Sequence, residues 1–100
     1  MTAEKKSLDE TDQTTVSCLF DVPRTLRLEL DKGDQRPEHQ HPGKEILLFV
    51  HEGELDLRLD GESHAVEEGD AVRFSGERDI SPRAVEDTVA LLIFFEEEAS

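Results

Sequence analysis

Residues Gly33 to Gly53 read GDQRPEHQHPGKEILLFVHEG. A loop punctuated by Gly33, Pro37, Pro42 and Gly43 carries His39 and His41, then runs straight into an apolar segment. In extended backbone successive side chains point to opposite faces, so residues two apart share a side. His39 and His41 therefore project together. Two imidazoles held on one side of a rigid backbone are a sound start for a metal site. Gln40, between them, is expected at the surface. The segment Glu45 to Glu52 is apolar on both faces apart from its ends, which predicts a central strand or one that also faces a partner. His51 falls on its Leu47–Phe49 face, away from the pocket.

Downstream, Glu54 to Asp60 alternates strictly and directs Leu55, Leu57 and Leu59 inward. Asp60-Gly61 is a strong hairpin signal of the type I′ class. Counting through it pairs Leu59 with Glu62, Leu57 with His64 and Leu55 with Val66, so His64 is expected on the inner face. A turn at Glu67 to Asp70 precedes a short strand at Ala71 to Phe74. Ile80 to Val85 is a further strand whose Pro82 suits an edge or a bulge. Val89 to Phe95 is apolar throughout and needs cover on both sides.

Upstream, Arg24 to Leu30 alternates, with Leu26, Leu28 and Leu30 on one face of a half-buried strand. Asp21 to Pro23 separates it from a β-branched, apolar strand at Thr14 to Phe20. Cys18 in that strand reads as a small buried hydrophobe rather than a reactive thiol. Residues 1–13 are polar and charged and read as a mobile arm, leaving 14–98 as one domain. No ten-residue stretch shows helical periodicity. Eight or so short strands with frequent turn signals predict an all-β sandwich or barrel.

A chain of 100 residues supports a single core. No run of 18 apolar residues is present to span a membrane. The opening MTAEKKSLDE lacks the apolar core of a secretory signal, and one cysteine excludes an internal disulfide; both fit the cytoplasm. Against 25 Asp plus Glu stand 11 Lys plus Arg, a formal net charge of −14. That balance disfavours nucleic acid, whose binding rests on Lys and Arg against phosphates. The acids are spread along the chain and arginine outnumbers lysine, a pattern similar to halophilic proteins from salt-loaded cytoplasm. Neither a nucleophilic triad nor a glycine-rich phosphate loop is visible.

Gly33, five residues and then His39-Gln40-His41 reproduce the opening of the first cupin motif, which continues with a glutamate three or four residues on, six more residues and a glycine. Glu68-Gly69-Asp70-Ala71-Val72-Arg73-Phe74 resembles the second motif. Over roughly three-quarters of its length the chain resembles a small single-domain cupin, a double-stranded β-helix or jelly-roll barrel. The resemblance implies a divalent metal (Zn, Fe, Mn or Ni) held by two histidines, a glutamate and a third histidine. It carries His39 and His41 onto the first two places. Glu45 takes the third if three residues follow His41, whereas counting back from Gly53 puts Ile46 there. Ile80 stands in the place of the third histidine, and the inward-facing His64 is the substitute ligand that remains.

Three functions follow as expectations. The first is a binding or sensor module with a degenerate metal or small-ligand pocket. The second is a metal-dependent oxygenase or isomerase using His39, His41 and Glu45, and the third is a structural cupin without a ligand. Apolar strand faces in excess of what one barrel covers imply a homodimer.

Overall fold

The structure is a computed structural model and describes residues 3–5, 7–8 and 15–96. Most of the expected arm at 1–13 therefore lies outside the described residues, as do residue 14 and residues 97–98 of the expected domain. The described residues form eight strands: β1 (Val16–Asp21), β2 (Arg24–Leu30), β3 (Lys44–Glu52), β4 (Glu54–Leu59), β5 (Glu62–Glu67), β6 (Ala71–Ser75), β7 (Ile80–Ala84) and β8 (Thr88–Glu96). They pair into a five-stranded sheet in the order β1-β2-β8-β3-β6 and a three-stranded sheet in the order β5-β4-β7, every pairing antiparallel. Among the described residues no helix is long and apolar enough to cross a membrane.

Alternation fixes the layers. Ile46, Leu48 and Val50 of β3, with Ala90 and Phe94 of β8, face Leu55, Leu57 and Leu59 of β4 across one core. Each large side chain buried this way contributes about 1.5–3 kcal/mol. A one-residue slip of β3 would exchange Ile46, Leu48 and Val50 for Glu45, Leu47 and Phe49 in one direction or Leu47, Phe49 and His51 in the other, so the register is strongly specified. The hairpin pairs Leu59 with Glu62, Leu57 with His64 and Leu55 with Val66, as the turn predicts. Asp60 and Gly61 sit at φ 53° and 81°, the positive values of a type I′ turn.

Two expectations are corrected. Strand β2 is covered on both faces: Thr25 and Arg27 are buried as well as Leu28 and Leu30, and Arg27 Nε donates to the Leu8 carbonyl at 2.6 Å. The N-terminal segment thus supplies a partner for the polar side of that strand. Cys18 is exposed, because β1 is an edge strand whose pairing with β2 shifts register between Cys18 and Phe20. Strand β8 is central as expected, and within the single chain its Phe95 is 43% exposed and Phe49 of β3 36%.

Pro82 occupies the edge strand β7, where its missing N–H costs no ladder bond. Beyond it runs the loop that precedes β3, touching β7 through two isolated bridges, Gln35 to Arg83 and His39 to Ile80. Between those bridges Arg36 N–H donates to the Pro82 carbonyl at 3.0 Å, and the proline has no N–H to return. The loop therefore follows β7 without becoming a strand of the sheet.

The loop ends in the turn His41-Pro42-Gly43-Lys44, where Lys44 N–H reaches the His41 carbonyl at 3.2 Å. That turn rests on Gly76: His41 N–H donates to the Gly76 carbonyl at 2.7 Å, and Gly76 N–H donates to the Lys44 carbonyl at 2.8 Å. A Cβ at position 76 would come within 2.9 Å of the Lys44 carbonyl oxygen and nearer still to the His41 carbonyl oxygen, closer than carbon and oxygen can approach. Both opposing atoms are backbone and are held by the same hydrogen bonds, so they cannot move aside cheaply. Gly76→Ala is expected to destabilise the fold by more than about 1 kcal/mol, which lowers Tm by about 4–8 °C per kcal/mol in a domain of this size. Thermal unfolding followed by circular dichroism measures it, and an unchanged Tm would refute the close contact.

Candidate functional site

The bridge and the turn place both histidines at the mouth of the barrel. His39 and Ile80 exchange backbone hydrogen bonds, His39 N–H to Ile80 O at 3.0 Å and Ile80 N–H to His39 O at 2.8 Å. The two imidazole rings meet edge to face with centroids 4.8 Å apart, as residues two apart in extended chain should. His41 in turn packs edge to face on Phe94 at 4.9 Å. The His39 Nδ1 lies 2.8 Å from the Pro37 carbonyl oxygen. A carbonyl can only accept, so Nδ1 carries a proton and Nε2 is the nitrogen left to offer a lone pair in the neutral ring.

The other residues expected at a metal centre lie elsewhere. Ile46 is completely buried on the core face of β3 and pairs with Phe94 of β8. Glu45 is therefore on the opposite face, where its carboxylate takes Arg73 Nε at 3.1 Å. The register of β3 matches four residues after His41 and six before Gly53, and Ile46 stands in the glutamate's place. The bulge that would have turned Glu45 inward is at the far end of β3, between Val50 and Glu52. Ile80, in the place of the third histidine, is 3% exposed beside His39.

His64 is on the inner face as expected from its pairing with Leu57, half-buried, with Nε2 3.9 Å from Glu62 and no hydrogen-bond partner among the described residues. It sits on β5, at the far edge of the small sheet, with β4 and β7 between it and the His39 bridge. Among the described residues no three His, Cys, Asp or Glu side chains converge where they could hold a metal ion. A zinc centre needs three or four protein ligands and a non-haem iron centre two imidazoles with a carboxylate. Two imidazoles above two isoleucines do not fit a resident metal centre.

What the mouth does contain was only partly legible. Arg24, at the start of β2, pairs in register with Phe94 and so shares the inner face with Leu26 and Leu28. Its guanidinium carbon lies 5.8 Å from the Phe94 ring centroid. The signal was in the alternation RTLRLEL, where a charge sits in phase with the inward leucines at one end of the strand. His41, Arg24 and Phe94 line an open cleft of about 610 Å³, together with the Val22-Pro23 turn, Lys44 and Phe95.

Burial, then His39 and the Arg24 guanidinium, hold His41 below its ordinary value of 6.5. A lowered folded-state pKa means the unfolded chain takes up this proton first as pH falls. The stability carried by neutral His41 is complete above 6.5 and is lost as pH drops through the window down to the folded midpoint. An NMR titration of the ring protons should give His41 a midpoint below 6.5, and His41→Gln should flatten the fall in Tm over that window. A midpoint at or above 6.5 would contradict this environment.

The comparisons with known proteins agree with this architecture. A family model described as a cupin domain matches residues 26–95. An RmlC-like cupin protein from Desulfovibrio desulfuricans superposes with a TM-score of 0.81 at 18% identity, covering 94% of this chain and 96% of that one. KdgF from Halomonas sp. gives 0.74 at 20% identity, with 88% and 86% covered. The Cupin_2 domain of an XRE family transcriptional regulator from Enterobacter cloacae gives 0.71 at 22% identity, with 84% and 96% covered. None of the curated proteins matches the chain in sequence. At such identities the superpositions speak for the fold alone, and the family model matches well over half the chain: this protein belongs to the cupin family.

Proposed function

We propose that the chain is a small-ligand binding module whose pocket is the barrel mouth and which works without a resident metal centre. The observation that carries this reading is the pair Ile46 and Ile80, buried in the two places where the family's remaining metal ligands stand. They leave His41, with His39 packed behind it, as a ring surface and hydrogen-bonding group on a largely apolar cleft, where Arg24 is the cation without a carboxylate partner among the described residues. Pockets of this size, apolar with a few converging polar groups, suit small organic ligands.

The reading predicts that protein dialysed after purification holds no stoichiometric Zn, Fe, Mn or Ni. Two imidazoles should bind added Ni²⁺ weakly, and more weakly as pH falls through the histidine range near ~6.5. Ile80→His should place a third imidazole beside His39 and tighten Ni²⁺ binding at least tenfold, about 1.4 kcal/mol, measured by calorimetry. One tightly held metal per wild-type chain surviving dialysis would overturn it and favour the metalloenzyme.

We propose further that two copies associate through the outer face of the five-stranded sheet. Leu47 and Phe49 of β3 lie beside Ile93 and Leu91 of β8 there, next to Phe95. Arg27 pairs with Glu29 and Arg73 with Glu45 along the flanks, so the acid excess of the chain is locally compensated on this face. Two such faces can meet without the repulsion that a net charge of −14 imposes elsewhere. Light scattering should return twice the 11.3 kDa chain mass, and Phe49→Asp should halve it. A wild-type particle of 11.3 kDa would exclude the dimer.

A further inference from the structure

The polar chemistry of the mouth narrows the class of ligand. Two carboxylates border the cleft, and neither takes Arg24. Asp21, the register partner of Arg24 across the Val22-Pro23 turn, has its Oδ1 3.7 Å from the Cys18 thiol. Glu96 takes the ammonium of Lys44 instead. Among the described residues Arg24 has no carboxylate partner, in a chain with 25 acids to 11 bases. Its contact is with the face of Phe94, which leaves the guanidinium fork available at the cleft.

A guanidinium offers paired parallel N–H groups that match a carboxylate bidentately. Lys44 is neutralised by Glu96, which leaves Arg24 as the cation at the cleft without a carboxylate partner among the described residues. The walls around the fork are flat and apolar: the edge-packed rings of His41 and Phe94, then Phe95 and the Val22-Pro23 turn. Charge at one end and ring faces along the sides describe one kind of occupant.

We propose that the barrel mouth binds a small planar monocarboxylate, its carboxylate on the Arg24 fork and its apolar body among His41, Phe94 and the Val22-Pro23 turn. This rests on the reading of the mouth as a ligand pocket and adds the chemical class of what enters it. Burial, His39 and Arg24 disfavour the charged form of His41, whose ring then serves as wall or hydrogen-bond partner.

The probes are benzoate, benzamide (the same body without charge) and acetate (the charge without the body). Each is titrated into EDTA-treated full-length protein and followed by ¹H–¹⁵N chemical shifts, so that no metal can serve as the anion receptor. Benzoate is expected to shift amides near Arg24, His41 and Phe94, and to bind at least tenfold tighter than either other probe. Arg24→Gln should remove the advantage over benzamide while its spectrum stays that of a folded barrel, since Arg24 is exposed. Equal binding of benzoate and benzamide at the mouth would overturn the carboxylate class and leave the pocket reading standing. Equal binding of benzoate and acetate would overturn the planar body. Undiminished benzoate binding by Arg24→Gln would overturn the role of the arginine, and no response to any probe would remove both this proposal and the pocket reading.

Discussion

The paired hydrogen bonds between His39 and Ile80 are the constraint on which the mouth depends. They fasten the loop before β3 to the edge of the small sheet. Two residues later the bond from His41 to Gly76 fastens the same loop to the end of β6, which belongs to the large sheet. The loop thereby bridges both sheets within three residues. The separation of the two rings, the packing of His41 on Phe94 and the opening of the cleft between the β1–β2 turn and β8 all follow from those two anchor points.

The same anchors account for what this cupin mouth lacks. Ile80 is held beside His39 whatever its side chain, because the contact is made by backbone atoms. The backbone therefore keeps its place while isoleucines stand at two of the four ligand positions the family motif implies. An isoleucine there contributes to the core cluster, as Ile46 does opposite Phe94. Side chains that would have been polar and open to the mouth instead complete the apolar layer beneath it. In the proposed reading, recognition falls to the groups at the rim, among which Arg24 is the cation without a carboxylate partner among the described residues.

Most of the fold was legible because period-two patterning is short-range and redundant. Leu55, Leu57 and Leu59 face inward, and Asp60-Gly61 sets the register of His64 without reference to the rest of the chain. The face of Glu45 was left open because one count ran from His41 and the other from Gly53, with an extra residue between them. The alternation that buries Ile46, Leu48 and Val50 decides it, and the surplus residue is taken up near His51. Arg24 escaped notice for a different reason. Its neighbours in the site, His41 and Phe94, lie far away in sequence, and only the β2–β8 register brings them together. The exposure of Cys18 likewise depends on which strand ends up at an edge, which no local pattern states.

The bulge between Val50 and Glu52 separates the two ends of β3 in their tolerance of length change. Removing one residue at His51 would restore regular pairing with β8 there and leave Ile46 opposite Phe94. Removing one residue between His41 and Ile46 has no slack to draw on. Either the core face of the strand is given up, or the turn over Gly76 is pulled out of place. The strand thus tolerates a change of length at its Val50–Glu52 end while the spacing from the histidines to the core is fixed, so the chemistry at the opening can be altered by exchange of side chains but not by insertion or deletion there.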